Sequence, residues 1–331
     1  MLLSFLIIVA GLALLTLGAD LLVKGSTNIA ERFGMPDRIA GLTVCAVGTA
    51  MPEVFVSVTS AIDGHAEVAF GNVIGSCMAN LLLILGLSAV IMPLGLSRRT
   101  QRFEIPVSVI SIGVLAFVAN TGAGITFAQG GILLALFAAF MVITVYEGLK
   151  EGASGHEDID PLHDHGANDA EIAQARALGN RSNLLVDLAL VVASIALLKF
   201  GADFVVDNAV SVASALGISE RIVGITVVAL GTCLPELVTS VVAASRGNTD
   251  LAVGNIVGSN ITNILLVMGA PALFTTVPYP ASYNLDLALL AVFSAALVGC
   301  AFIGERHTFT RLNGVFFVFC YVVYIVAALL M

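Results

Sequence analysis

Two short stretches place a carboxylic acid where an apolar chain should not tolerate one. They read Gly48-Thr49-Ala50-Met51-Pro52-Glu53 and Gly231-Thr232-Cys233-Leu234-Pro235-Glu236, each inside a long hydrophobic run. A carboxylate at mid-membrane depth costs a few kcal/mol or more, so it must face a partner or a watery cavity. Proline has no N–H, which deprives the carbonyls of Gly48 and Gly231, four residues back, of their helical donors. In a continuous helix Thr49 and Glu53 share one face at i and i+4, as do Thr232 and Glu236. The expected result is a carboxylate, a hydroxyl and free carbonyl oxygens converging from two places in the chain. Hard oxygen donors of that kind suit Ca²⁺, Mg²⁺ or Na⁺ rather than a soft metal.

A second polar stripe follows each motif. Asn72, Ser76 and Asn80 are spaced by four, and so are Asn255, Ser259 and Asn263. Ser76, Asn80, Ser259 and Asn263 are expected to touch the ion. Asn72 and Asn255 either do the same or cross-link neighbouring helices. Gly71 with Gly75, and Gly254 with Gly258, make small-xxx-small faces that admit close helix approach. Two nearby carboxylates repel each other unless a cation lies between them. One divalent cation neutralises both, as do two monovalent cations or two protons. A site that holds either load but should not cross empty is the minimal machine for exchange.

These residues belong to a repeat. Gly41–Gly86 and Gly224–Gly269 align without a gap at a constant offset of 183, with about 21 of 46 positions identical. The same offset carries Asp20 onto Asp203 and Gly34 onto Gly217. Hydropathy and Gly, Pro and charge punctuation predict ten helices, over 2–30, 39–63, 66–92, 104–120, 125–149, 184–214, 221–245, 249–274, 283–303 and 311–330. Five helices separate equivalent positions, so the second copy must cross in the opposite sense. The fold class expected is an all-α polytopic membrane protein of ten transmembrane helices in two inverted five-helix repeats, the sequence mark of secondary transporters. Residues 1–149 form the first repeat, 150–183 a cytoplasmic acidic, His-containing loop, and 184–331 the second.

Composition supports the membrane. Of 331 residues, 58% are hydrophobic and only 11% charged, and the mean hydropathy is +1.02. A soluble fold needs about a quarter of its residues charged. Lipid is therefore the surrounding partner, and a soluble enzyme or secreted module is excluded. The net charge of −9 speaks against a nucleic-acid partner. The start of the chain lacks a basic leader and reads as the first membrane helix. Every Lys and Arg outside the helices except Arg221 falls on one side, among them Arg32, Arg38, Arg98, Arg99, Lys150 and Arg246. That places both termini outside and the central loop in the cytoplasm, with a bacterial inner membrane as the location.

The paired G-T-x-x-P-E and G-N-x-x-G-S-x-x-x-N motifs resemble the alpha repeats of the cation/calcium exchanger superfamily, most closely its prokaryotic sodium/calcium antiporters. The resemblance covers all ten spans. It implies exchange of Ca²⁺ for Na⁺ by alternating access, the long first and sixth helices sliding against the core. It makes Glu53 and Glu236 the shared ligands of Ca²⁺ and Na⁺, and has Thr49 and Thr232 add carbonyl or hydroxyl oxygens. Ser76 and Ser259 would serve flanking sites, and Asn80 and Asn263 the central one. Members often carry Ser after each threonine, where this chain has Ala50 and Cys233. Na⁺ is the first expectation for the driving ion and H⁺ the alternative. Members that carry Asp at the position of Asn263 include the potassium-dependent exchangers, so potassium co-transport is not expected.

No cofactor is expected beyond the transported ions. Five cysteines, Cys45, Cys77, Cys233, Cys300 and Cys320, lie in apolar runs with no CxxC spacing. His156, His163 and His165 with neighbouring aspartates fit neither an EF-hand nor a zinc motif, and read as a solvated linker. An intramembrane protease would need paired aspartates or a Ser-His pair, and a channel would not be sealed around two glutamates. Asp20 and Asp203 either gate ion access or simply face water, with Lys199 and Asp203 at i,i+4 spacing forming an ion pair.

Overall fold

The computed structural model describes residues 2–122, 124–154, 183–215, 229–302 and 307–330. They form an almost wholly helical chain: α1 Leu2–Arg32, α2 Asp37–Thr49, α3 Met51–Ile62, α4 Ala66–Ile91, α5 Thr100–Asn120, α6 Phe127–Ser154, α7 Leu184–Ala215, α8 Ala229–Thr232, α9 Leu234–Ser245, α10 Thr249–Leu273, α11 Asn284–Phe302 and α12 Arg311–Leu330. Among the described residues eight helices are long and apolar enough to cross a membrane, and α2 with α3, bent by 41°, makes nine if counted as one span. The span expected over 221–245 is described only from Ala229, and the acidic loop with its three histidines and Arg221 lies outside the described residues.

Burial sorts the helices into layers. Of the apolar stretch of α10, 94% is buried, and of α4 72%, against 17% for α12 and 22% for α6 and α11. So α4 and α10 form the core, while the outer helices show lipid-compatible faces such as Phe117, Val142, Val292 and Phe319. Glycine lets backbones meet in that core. A Cβ on Gly41 would sit 2.5 Å from the Leu251 carbonyl oxygen, and one on Gly254 2.5 Å from that of Arg38. Gly258 likewise abuts Leu42, so α2 lies in the groove of α10 as the small-xxx-small spacing predicts. The same packing was expected at Gly71 and Gly75. There the structure places the Tyr283 hydroxyl beside Gly71, and the segment equivalent to α2 is described only in its last turn, Ala229–Thr232. The long α1 and α7 also cross at glycines: Gly11 meets the Gly201 carbonyl, and Gly201 meets Leu15. Asn28 donates to Asp187 across them at 3.0 Å.

Arg38 corrects one expectation. It was counted with the loop charges, but α2 begins at Asp37 and Arg38 is only 4% exposed. Its guanidinium bridges Glu104 of α5 and Glu151 of α6, the latter at 2.5 Å. Arg99 pairs with Glu147 at 3.2 Å and with Glu151 at 3.5 Å. These partners lie 48 to 113 residues apart in sequence, so hydropathy and spacing could not pair them. Removing one member of a buried pair strands the other charge, at about 3–5 kcal/mol. Arg38→Met and Glu104→Gln should each lower the thermal unfolding temperature of the detergent-solubilised protein markedly. The double variant should lose less than the sum of the two.

Candidate functional site

The proline of each motif breaks its helix where the sequence places it. α2 ends at Thr49, Ala50 takes φ −79° and ψ 0°, and α3 restarts with Pro52 in its first turn. The same break recurs 183 residues later, with Cys233 at φ −85° and ψ 0° between α8 and α9. Each glutamate therefore sits in the first turn of a half-helix, where backbone N–H groups give a positive end. Broken helices in a membrane are tolerated only where they are buried in protein or line a cavity.

All eight residues expected at the site are in the protein interior or, for Thr232, at its edge. Exposure is 0% for Glu53, 1% for Glu236, 1% for Thr49, 2% for Ser76 and 0% for Asn80, Ser259 and Asn263. The four carboxylate oxygens of Glu53 and Glu236 have no hydrogen-bond partner. Nor do Ser76 Oγ, Ser259 Oγ, or either amide atom of Asn80 and Asn263. Buried polar atoms are normally paired, and an unpaired ionised group is far costlier than an unpaired amide. So many orphans in one set of residues mark a place built for something the protein itself does not supply.

The halves interlock in a way that spacing within one helix did not predict. The break at Ala50 falls inside the i,i+4 pair Thr49 and Glu53 that was expected to share a face. The Thr232 hydroxyl is a neighbour of Glu53, and the Thr49 hydroxyl a neighbour of Glu236, so each threonine reaches across to the other half's glutamate. Thr49 Oγ1 donates to the Cys45 carbonyl at 3.0 Å, leaving its lone pairs available. The Cys233 thiol, buried beside both glutamates and Ser76, fills the position after the second threonine.

Asn72 and Asn255 cross-link helices. Asn72 Nδ2 donates to Ser57 Oγ at 3.0 Å and to the Glu53 carbonyl at 3.2 Å. Asn255 Nδ2 donates to Ser240 Oγ at 2.9 Å, the same bond at the repeat offset. Thr232 Oγ1 donates to Asn72 Oδ1 at 3.4 Å, tying the two motifs together. Ser57 and Ser240 were not singled out from sequence, although both recur at the offset and lie four residues after their glutamates. At Ala79–Ile84 and Asn263–Val267 the core helices widen to i→i+5 hydrogen bonding, which begins at or beside Asn80 and Asn263. Such wide turns are frequent at functional sites. The donor set is thus carboxylate, amide and hydroxyl oxygen, which matches a hard cation. No group of three or more His, Cys, Asp or Glu able to hold a metal is present among the described residues.

Comparison with known proteins points the same way. The family described as "Sodium/calcium exchanger protein" matches residues 3–146 and 186–330. The sodium/calcium exchanger MaX1 of Methanosarcina acetivorans is 30% identical over 98% of this chain and 97% of its own. The inner membrane protein YrbG of Escherichia coli is 32% identical over 89% of this chain and 87% of its own. Among solved structures, the sodium-calcium exchanger NCX_Mj soaked with zero Na⁺ and Ca²⁺ superposes with a TM-score of 0.81 at 30% identity, covering 98% of this chain and 99% of that one.

The two cross-linking asparagines differ in how much they lose when their serine is removed. Ser240→Ala leaves the Asn255 amide without its acceptor and should cost about 1–3 kcal/mol. Ser57→Ala should cost less, because Asn72 keeps the Glu53 carbonyl. Thermal unfolding of the two purified variants side by side checks the order.

Proposed function

Because the chain belongs to the sodium/calcium exchanger family, we propose that it exchanges Ca²⁺ for Na⁺ across a membrane by alternating access, with Glu53 and Glu236 as the shared ligands. The family is one of transporters, so the chemistry to explain is binding and release, not bond making. The observation that carries the reading is the set of four buried carboxylate oxygens with no hydrogen bond and, among the described residues, no ion pair. Without a cation such a pair is strongly unfavourable in a low-dielectric interior. One Ca²⁺ cancels the charge of both, and so do two Na⁺. A loaded site of either kind is nearly neutral and can change sides, whereas the empty dianion resists the transition. That coupling alone converts a Na⁺ gradient into Ca²⁺ movement.

Ligand roles follow the donor types. Thr49 and Thr232 contribute carbonyl or hydroxyl oxygens to the centre, Asn80 and Asn263 their amide oxygens to it, and Ser76 and Ser259 hydroxyls to flanking Na⁺ positions. The architecture in this reading is ten helices in two inverted five-helix repeats, 1–149 and 184–331, joined by a cytoplasmic loop at 150–183. Both termini lie outside, in a bacterial inner membrane. It is supported by the membrane-length helices, by helix breaks at equivalent positions and by the recurring Asn–Ser bonds. A proton-driven exchange of Ca²⁺ or another divalent cation is the second reading, favoured by Ala50 and Cys233, which lack hydroxyls for Na⁺.

Proteoliposomes loaded with Na⁺ and diluted into Na⁺-free medium should take up ⁴⁵Ca²⁺, and collapsing the Na⁺ gradient should stop it. Uptake that ignores Na⁺ and follows a proton gradient would favour the second reading. Glu53→Gln and Glu236→Gln should each reduce exchange to background while the protein still elutes as a folded, monodisperse peak. Normal transport by either variant would remove that glutamate from the site.

A further inference from the structure

A cavity of about 160 Å³ lies between α7 and the α3 side of the core. Its floor is formed by Pro52, Gly231 and Thr232, and so it reaches the helix breaks that carry the two glutamates. Its mouth is formed by Lys199, Asp203 and Asp207 of α7. Lys199 Nζ holds both carboxylate oxygens of Asp203, at 2.7 and 2.6 Å, as the i,i+4 spacing predicts. Both side chains keep nearly half of their surface exposed, 45% for Lys199 and 43% for Asp203. The half-exposed pair therefore lines the same cavity as Thr232 and Pro52, next to the helix breaks.

The equivalent place in the first half is built differently. Asp20, at the repeat offset from Asp203, reaches out of α1 to Arg246 at the end of α9, 2.5 Å away. α1 packs along α9 there. The counterpart of Lys199 is Thr16, whose hydroxyl donates to the Leu12 carbonyl. The counterpart of Arg246 is Asp63, an acid that cannot bind Asp203. Asp203 therefore takes its counter-charge from its own helix.

We infer that Lys199 is a rate- and specificity-determining residue for cation access: a tethered ammonium that occupies Asp203 and opposes each cation moving through this mouth to Thr232 and the glutamates. The inference rests on the exchange reading above. Lys199 spends its ammonium on Asp203 and shares the cavity lining with Thr232, so its action on the ion is electrostatic and confined to the face onto which this cavity opens. Coulomb energy scales with the charge of the arriving ion, so the barrier is twice as high for Ca²⁺ as for Na⁺. Lys199 thereby biases this mouth toward the monovalent ion, and Asp203 offsets the bias. Steering of this kind is screened by salt.

The test is exchange measured from each face, in right-side-out and everted membrane vesicles carrying the full chain. Lys199→Gln should lower the apparent KM for Ca²⁺ about threefold on the cavity face at low ionic strength. The shift for Na⁺ should be less than twofold, both should fade in about 0.5 M choline chloride, and the opposite face should not change. Asp203→Asn should raise the Ca²⁺ KM on the same face, and Lys199→Arg should behave as the wild type. Equal shifts on both faces, equal shifts for Ca²⁺ and Na⁺, or no shift at all would overturn the inference while wild-type exchange persists. A wild-type chain that does not exchange Ca²⁺ for Na⁺ would overturn the exchange reading instead, and this inference with it.

Discussion

Two carboxylates sealed inside the protein, with no counter-charge among the described residues, are the constraint around which the rest is arranged. Glu53 and Glu236 are buried, unpaired and held at the starts of half-helices. An interior of hydrocarbon-facing helices cannot hold two such charges unaided. The surrounding features soften that problem without removing it. Helix N-termini turn positive ends toward the carboxylates, and hydroxyl and amide oxygens stand by as extra donors. A cation supplies the missing charge, which makes cargo part of the electrostatic balance of the fold.

The other buried charges show what a structural solution looks like. Arg38 is also deep in the protein, but it touches Glu104 and Glu151, and Thr100 donates to Glu104 as well. That cluster is internally paired and fastens α2 to α5 and α6. The glutamates of the two motifs are its opposite: same burial, no partner. Asn72 and Asn255 lie between these extremes, with amide donors spent on Ser57 and Ser240. They hold the core helices in register beside the glutamates while the asparagines further along, Asn80 and Asn263, keep both amide atoms unspent.

The periphery is organised for a different purpose. α1 and α7 meet through glycines, which permits close backbone contact and seats side chains such as Leu198 and Val191 against Gly18 and Gly25. Their attachments to the core differ, since Asp20 is bound to Arg246 whereas Asp203 is bound within its own helix. A shared pattern of sequence thus carries unequal electrostatics at its two ends.

Much of this was legible in the residues alone. Pro52 and Pro235 set the helix breaks because a missing N–H is a local property. Glu53 and Glu236 identified themselves because a charge inside an apolar run has few explanations, and the offset of 183 paired them. What spacing could not determine was which groups meet across chain separations of tens to hundreds of residues. Glu53 has Thr232 of the other motif beside it, and Arg38 leaves its expected loop to join Glu104 and Glu151. Asn72 finds Ser57 in the helix before it, and only the packed helices decide that it is a tie. Local sequence governs backbone breaks and the cost of burial, because both act within one turn. Partners are chosen by packing, because a side chain in the interior bonds to whatever the neighbouring helices bring within reach.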